Sequence, residues 1–443
     1  MITKSKPQIS FYTLGCRLNQ AETASLQNSF EVGGYTVVDF AKPADIVVIN
    51  TCTVTENGDA DTRRLVNKIS RSNPHAKIAL IGCQAQMQKE KLAILPNVRW
   101  IVGNAKKMDL LSIFEEWTNV EGTEARVIMP AFDREPFTIP VAAASLARRH
   151  ERSRIRANLK IQDGCDFFCS FCEISYARGR ARSREFDNIL LEAHALVAAG
   201  HKEIVLTGIN VGTYQYQNKD MLDVIDALEQ IDGLERIRIS SIEPTTIPHT
   251  LIKKMAGRSK LCRYLHIPMQ SGHNAILTSM KRKYTVEEFA KFIHAAYNLV
   301  PEICIGTDVI VGFPGETDEF FTQTYENLRK WPIHYFHVFS YSARTMAKSK
   351  DLPNTISPTV IHKRSEMLRN LSQRKRRLYY HSLLGTTQKV LFEQKNEEGY
   401  WDGVTDHYVR VKVRSNQDLI NTFADVRLVE LNGQAVIGQI QDH

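Results

Sequence analysis

The segment GCDFFCSFC, residues 164–172, places Cys165, Cys169 and Cys172 in the spacing C-x3-C-x2-C. Three thiols this close, in a chain with eight cysteines, call for a chemical reason. A redox dithiol needs only the C-x2-C pair Cys169 and Cys172, and leaves Cys165 without a use. A structural zinc site needs four ligands, and no second Cys or His pair follows at the usual distance. Three thiolates suit a four-iron cluster whose fourth iron stays open to another ligand. Phe171, next to the last thiol, is placed to shield such a cluster or to stack on a cofactor ring.

Three further cysteines each follow an apolar run: Cys16 after ISFYTLG, Cys52 after IVVINT and Cys83 after KIALIG. A lone cysteine in such a place is usually a small buried hydrophobe. These three, however, stand just past the C-terminal ends of strands. In a parallel sheet those ends share one edge, where open α/β folds bind ligands. They form a second possible triad. Cys262 and Cys304 lie inside apolar strand patterns and read as core.

The elements that would carry these residues fall into three groups. Over residues 1–120, short apolar strands alternate with helical stretches, which implies a parallel α/β sheet. Residues 121–153 break the rhythm with an alanine-rich and then arginine-rich stretch, with five arginines from Arg148 to Arg156, and read as a linker or exposed arm. From 154 to 378 the β/α alternation returns six times, as in an incomplete (β/α)6 barrel, whose sites gather at the C-terminal strand ends. This region ends in a long basic helix predicted over 357–381. From 379 to 443 the apolar period falls to two, as in a small all-β barrel. The predicted fold class is therefore α/β, with an N-terminal parallel sheet, a partial barrel and an all-β C-terminal module.

Composition sets the outer bounds. At 443 residues, 43% hydrophobic and 24% charged, the chain has the make-up of a multidomain globular protein. No apolar run reaches a membrane span and no signal peptide is legible, so the expected place is the reducing cytoplasm, where cysteines serve metals or catalysis. A net charge of +8 leans toward an anionic partner such as nucleic acid.

The C-x3-C-x2-C motif opening a β/α barrel resembles the radical S-adenosylmethionine (SAM) superfamily. Together with the second triad and the stretches TLGCRLNQAET, NTCTVTENGDADTRR, IGCQAQ, LTGINVGTY, SSIEP, HIPMQSG, MKRKYT and TDVIVGFPGET, nearly the whole chain resembles the methylthiotransferase family. Its C-terminal module resembles the RNA-binding TRAM barrel. The resemblance implies two [4Fe-4S] clusters, one on Cys165, Cys169 and Cys172, the other on Cys16, Cys52 and Cys83. It implies SAM as both methyl and radical source, a sulfur source, and an electron donor such as flavodoxin or ferredoxin. YARGRARSR and LTGINVGTY look most like the branch that methylthiolates N6-threonylcarbamoyladenosine at C2, at tRNA position 37. Isopentenyladenosine, or a ribosomal protein, is the alternative substrate. A non-enzymatic iron–sulfur RNA-binding protein is the alternative of another class. Two positions depart from the family pattern: Glu173-Ile174-Ser175 stands where Ile-Ile-Pro is usual, and Arg17 where Lys is common.

Other candidates follow from placement. Gly208, Glu243, Gln270 and Gly312 end barrel strands and are expected at the cofactor, although Glu243 and Gln270 also suit a buried polar network. Gly312 opens GFPGET, which also suits a plain turn into a helix. Arg178, Arg180, Arg182 and Arg184 are expected to clamp tRNA phosphates, against the alternative of a solvated face. In YVRVKVR, Val409, Val411 and Val413 belong to a barrel core. Arg410 and Lys412 form the opposite, phosphate-binding face, with Tyr408 beside them by parity to stack on a base.

Overall fold

The computed structural model describes residues 7–53, 56–117, 124–141, 155–257 and 259–441. The arginine-rich stretch from Arg148 to Arg154 lies outside them.

The N-terminal sheet is wholly parallel. Its strands lie in the spatial order Thr36–Val37, Gln8–Thr13, Ile46–Thr51, Lys77–Gly82, Val98–Val102 and Arg126–Ile128. Alternate residues face opposite layers. Ile9, Phe11, Val48, Ala79 and Ile81 pack on one side, and Val47, Ile49, Ile78, Leu80 and Ile101 on the other. A sheet covered on both faces needs strands that are apolar throughout, as Ile46–Thr51 is. Strand Arg126–Ile128 extends the sheet into the stretch read as linker. The strand order reverses direction between Gln8–Thr13 and Ile46–Thr51, so the crevice that such a reversal opens lies between the loops carrying Cys16 and Cys52.

The six barrel strands form two parallel three-stranded sheets. One is Arg236–Ile239, Glu203–Thr207 and Ala157–Lys160; the other is Tyr264–His266, Cys304–Val311 and Tyr335–Ser340. Hydrogen bonds from Ile237 N to Lys260 O (2.8 Å) and from Cys262 N to Ile237 O (2.9 Å) join them. The remaining seam, between Ala157–Lys160 and Tyr335–Ser340, is flanked by helices. Helix Arg17–Val32 of the N-terminal domain packs on the first strand, and helix Pro358–Ser382 on the second. The Ser357 side chain caps that second helix and Pro358 takes its first turn, where no donor is needed.

The C-terminal module is a closed five-stranded barrel in the order Thr387–Lys395, Tyr400–Thr405, Arg410–Arg414, Ala435–Ile440, Phe423–Asn432. Val390, Phe392, Val411, Val413, Val426 and Val436 fill it. Four of its strands were expected. The fifth, Ala435–Ile440, carries a glycine and lacks clean alternation, but the Asn432-Gly433 turn before it was a hairpin signal. No helix of the described residues is long and apolar enough to cross a membrane.

Candidate active site where two cysteine sets meet

The barrel cysteines sit on a loop that only glycine chemistry lets the chain enter. Gly164 has φ +74°, and a Cβ there would lie 2.0 Å from Arg180 O. Cys165 N donates to Gly179 O (3.1 Å) and Cys172 N to Cys169 O (3.1 Å), so backbone bonds shape the loop without a metal. Cys169 is buried, and Cys165 and Cys172 are half-buried. Burial pushes the Cys165 thiol up to about 11 and Cys172 to about 12, and raises Cys169 as well. Thiolates in this loop therefore need a cation to hold them.

The spacing speaks to which cation. Four thiolates around one zinc, at Zn–S near 2.3 Å, lie about 3.8 Å apart. Among the described residues, the one set of three His, Cys, Asp or Glu ligand atoms within 4.8 Å of one another is His266, Asp308 and His337. Three thiols on one loop, spaced C-x3-C-x2-C, suit a multi-iron cluster with one open iron.

Arg282 binds this loop from MKRKYT. Its Nη1 donates to Cys169 Sγ (3.1 Å), and its Nη2 pairs with Glu243. Burial raises the Glu243 carboxyl, against the pull of Arg282. Glu243 thus stands at the barrel mouth as expected, as part of a buried ion pair. Gly208 lies against Gln162, whose Oε1 accepts from Ile209 N (3.0 Å) and Asn210 N (2.9 Å), two residues before Gly164. Gln270 has φ 67° and bridges to the neighbouring strand through its own backbone. Phe171 packs on Ile276, Met280 and Phe313. Gly312 turns toward the long helix: a Cβ there would meet Ile361 Cγ1 at 2.3 Å, and Glu316 pairs with Arg364 at 2.7 Å. The GFPGET loop therefore anchors helix Pro358–Ser382, which accounts for its sequence without a cofactor contact.

The N-terminal cysteines converge as well. A Cβ on Gly15 would lie 2.6 Å from Cys52 Sγ, so the residue before Cys16 rests directly on Cys52. Cys16 lies within electrostatic reach of Cys83 and of Arg178. Asn104 Nδ2 donates to Cys83 Sγ (3.7 Å) and to Ala177 O (2.7 Å). Ala177 belongs to helix Ile174–Arg178, which leaves the barrel loop directly after Cys172. One side chain therefore spans the two cysteine sets.

A buried charge network cements the same boundary. Arg178 Nη1 donates to Glu22 (3.0 Å) and Asp163 (2.9 Å), and its Nη2 to Asn19 (2.6 Å). Lys160 bridges Glu22 (2.8 Å) and Asp163 (2.7 Å), and Lys107 pairs with Glu22. Burial alone would raise the Glu22 carboxyl, but Arg178, Lys107 and Lys160 hold it below the usual range. A second tie starts at Glu173, the departure from Ile-Ile-Pro. It accepts from Arg344 Nε (3.1 Å), whose Nη2 reaches Thr53 (2.6 Å) and Asp59 (2.9 Å) beside Cys52.

This corrects the reading of the arginine run. Arg178 has no exposed side-chain surface and binds protein carboxylates, not phosphate. Arg184 is equally buried, paired with Glu192 and bonded to Asn188 (2.6 Å). Arg182 lies over the rings of Phe132 and Phe137 with 10% of its side chain exposed. Arg180 alone of the four is exposed, 3.3 Å from Asp166. Arg178 turns inward because helix Ile174–Arg178 is pressed against the N-terminal domain, and Arg184 because it packs on helix Phe186–Ala198 of its own barrel. We expect Arg178→Met to cost about 3–5 kcal/mol, because Glu22 and Asp163 lose a buried partner. Thermal melting of the protein should show it; unchanged melting with weakened tRNA binding would restore the phosphate-clamp reading.

Tyr408 is also corrected. The strand begins at Arg410, and Tyr408 at φ 67° breaks its parity. Its ring lies 4.8 Å from Tyr264, and its hydroxyl accepts from Arg17 Nη2 at 2.7 Å, at the junction of all three domains. Arg410 is exposed and Lys412 half-buried, 3.7 Å from Glu398. Arg410→Glu with Lys412→Glu should weaken tRNA binding about tenfold and flatten its salt dependence, leaving SAM cleavage without tRNA intact. An unchanged affinity across salt concentrations would remove the basic-face argument.

Arg282, Arg344, Asn104, Glu22 and Lys107 were not singled out from sequence. Only Arg282 and Glu22 fell in stretches quoted for another reason, MKRKYT and TLGCRLNQAET.

The profile described as uncharacterized protein family UPF0004 matches residues 8–103, and that of the radical SAM superfamily matches residues 159–328. Threonylcarbamoyladenosine tRNA methylthiotransferase MtaB of Bacillus subtilis (strain 168) is 35% identical over 435 residues, covering 95% of this chain and 94% of the relative. The chain belongs to the radical-SAM methylthiotransferase family. Within that family, MtaB of Aquifex aeolicus (strain VF5) is 37% identical and covers 91% of this chain and 96% of its own. A tRNA-2-methylthio-N(6)-dimethylallyladenosine synthase of Thermodesulfovibrio yellowstonii is 32% identical, covering 95% and 93%. The family fold is also seen in the solved structure of the radical S-adenosylmethionine methyltransferase TsrM of Kitasatospora setae. That structure superposes with a TM-score of 0.54 at 16% identity, over 76% of this chain and 75% of that one.

Proposed function

We propose that this chain is a tRNA methylthiotransferase that installs a methylthio group at C2 of N6-threonylcarbamoyladenosine, next to the anticodon at position 37. It uses SAM and two [4Fe-4S] clusters, one on Cys165, Cys169 and Cys172 and one on Cys16, Cys52 and Cys83. The observation that carries this is the meeting of two cysteine sets from two domains, with Asn104 bonded to Cys83 Sγ and to the helix that follows Cys172. A single structural cluster would leave the second set without a purpose.

When bound, SAM and the barrel cluster supply a 5′-deoxyadenosyl radical, and the N-terminal cluster supplies activated sulfur. The chain's own residues prepare the place. Arg282 places positive charge on Cys169, and Glu243 fixes Arg282. Arg178 puts a fixed cation within reach of Cys16 and Cys83, offsetting thiolate charge. Phe171, packed on Phe313 and Met280, keeps water from one side of the loop. Arg180 and Arg410 offer exposed charge, and Lys412 half-buried charge, to the tRNA backbone. The electron donor is of the flavodoxin or ferredoxin type, a separate sulfur source reloads the N-terminal site, and the work is done in the cytoplasm, where tRNA is.

The test is mass spectrometry of tRNA nucleosides from cells with and without the chain. Selective loss of the methylthio derivative of threonylcarbamoyladenosine is expected. Loss of the isopentenyladenosine derivative instead, or no change in tRNA, would overturn the reading.

A further inference from the structure

The seam of the barrel encloses a cavity of about 310 Å³ where the three domains meet. The N-terminal domain contributes Arg17, the residue after Cys16. The barrel contributes Tyr264 and Tyr335, helix Pro358–Ser382 contributes Arg376, and the C-terminal module contributes Tyr408 and Arg410. Flat aromatic walls with cations among them suit a nucleobase that bears an anionic arm.

The cavity's three arginines differ from those buried elsewhere. Arg178, Arg184, Arg238, Arg282, Arg344 and Arg364 each face a carboxylate. Among the described residues, Arg17, Arg376 and Arg410 have no carboxylate partner. Arg376 lies 5.0 Å over the Tyr335 ring, and Arg17 donates to the Tyr408 hydroxyl. The cavity lining holds no acid among the described residues, and Asp308, beside the lining residue His266, is held by His266 Nε2 at 3.0 Å. Guanidiniums lining a cavity without counter-charge are poised for an anion, and a hydrocarbon arm seated against them would desolvate them without return.

We propose that this cavity reads the substrate's N6 arm, with Arg376 receiving the free carboxylate of the threonyl group, Arg17 flanking it on the Cys16 side and Arg410 at the exposed rim. The inference rests on the methylthiotransferase reading above and names the residues that separate a carboxylate-bearing adenosine from one with a hydrocarbon arm. A backbone phosphate presents the same anionic oxygens, so the test separates the two sources.

Methylthiolation kinetics are measured with tRNA bearing threonylcarbamoyladenosine and with the same tRNA esterified at the threonyl carboxylate. Binding is measured with the same tRNA carrying plain adenosine. The wild-type protein should prefer the free acid about 10- to 100-fold in kcat/KM, the worth of one charged hydrogen-bond pair. Arg376→Met should abolish that preference, mainly through KM, and Arg376→Lys should keep part of it. Iron content, SAM cleavage without tRNA and affinity for the plain-adenosine tRNA should stay at wild-type values. Equal loss of affinity for plain-adenosine tRNA would make Arg376 a phosphate contact and overturn the proposal. So would a wild-type protein indifferent to the ester, whatever the variants do. A wild-type protein that methylthiolates no tRNA at all would instead overturn the functional reading on which this one rests.

Discussion

Cys83→Ala should lower bound iron from about eight toward about four per chain, and end methylthiolation while SAM cleavage continues. The argument is one of separation. Cys83 opens a helix in the N-terminal sheet domain, and the barrel loop is shaped by its own backbone bonds from Cys165 to Gly179 and from Cys172 to Cys169. Removing the Cys83 thiol takes nothing from that loop. Asn104 loses one acceptor but keeps Ala177 O at 2.7 Å, so the domain boundary should hold. The protein should therefore still cleave SAM reductively, with 5′-deoxyadenosine forming uncoupled from product. Methyl transfer to sulfur should also stop, because its acceptor is gone. A buried core cysteine predicts something else: a cost on the order of 1 kcal/mol, full iron and normal product. Full iron with normal methylthiolated tRNA would remove the second cluster, and most of the proposed function with it.

Cys169→Ala should do the reverse and abolish SAM cleavage outright, more than a thousandfold in rate. Cys169 is the central and most buried thiol of its loop, and the one that Arg282 addresses at 3.1 Å. Two remaining thiolates cannot hold a four-iron cluster with one defined open iron. Arg282 then keeps Glu243 as its counter-charge, so the fold should survive while the iron signal falls to the N-terminal half. Normal 5′-deoxyadenosine formation by the anaerobically reconstituted variant would refute the assignment. The two variants together dissect the site: one keeps radical chemistry without sulfur, the other sulfur chemistry without the radical.

The parts of this site that were legible in sequence are those set by short range or by strict periodicity. C-x3-C-x2-C is a local pattern, and a parallel sheet sends every strand-end loop to one edge, so Cys16, Cys52 and Cys83 could be grouped before any contact was known. The rest depends on pairings across long stretches of chain. Arg282 lies 113 residues from Cys169, and Arg178 lies 156 from Glu22. In the run from Arg178 to Arg184, a solvated strip, a phosphate clamp and a domain seam share one sequence signature; only burial between two domains separates them. Tyr408 failed for a different reason. Parity holds only inside a strand, and a left-handed residue just ahead of the strand turned the ring toward Tyr264. The fifth strand of the small barrel was missed where weak alternation outweighed its Asn-Gly turn.

The charge network at Glu22 bears on how the molecule is made. The N-terminal domain leaves the ribosome first, and at that stage Glu22 has Lys107 as its partner within the domain. Lys160, Asp163 and Arg178 emerge only later, and they are arranged by the opening strand and loop of the barrel. Until then the face of helix Arg17–Val32 that will seal the barrel seam stands open to water. The same residues that shape the barrel's first cysteine loop thus complete the first domain. Synthesis should show this as a joint acquisition of protease resistance once about 180 residues are out. Neither half is then a free module: a barrel inherited without this particular N-terminal domain would leave Lys160 and Arg178 to share the single carboxylate of Asp163.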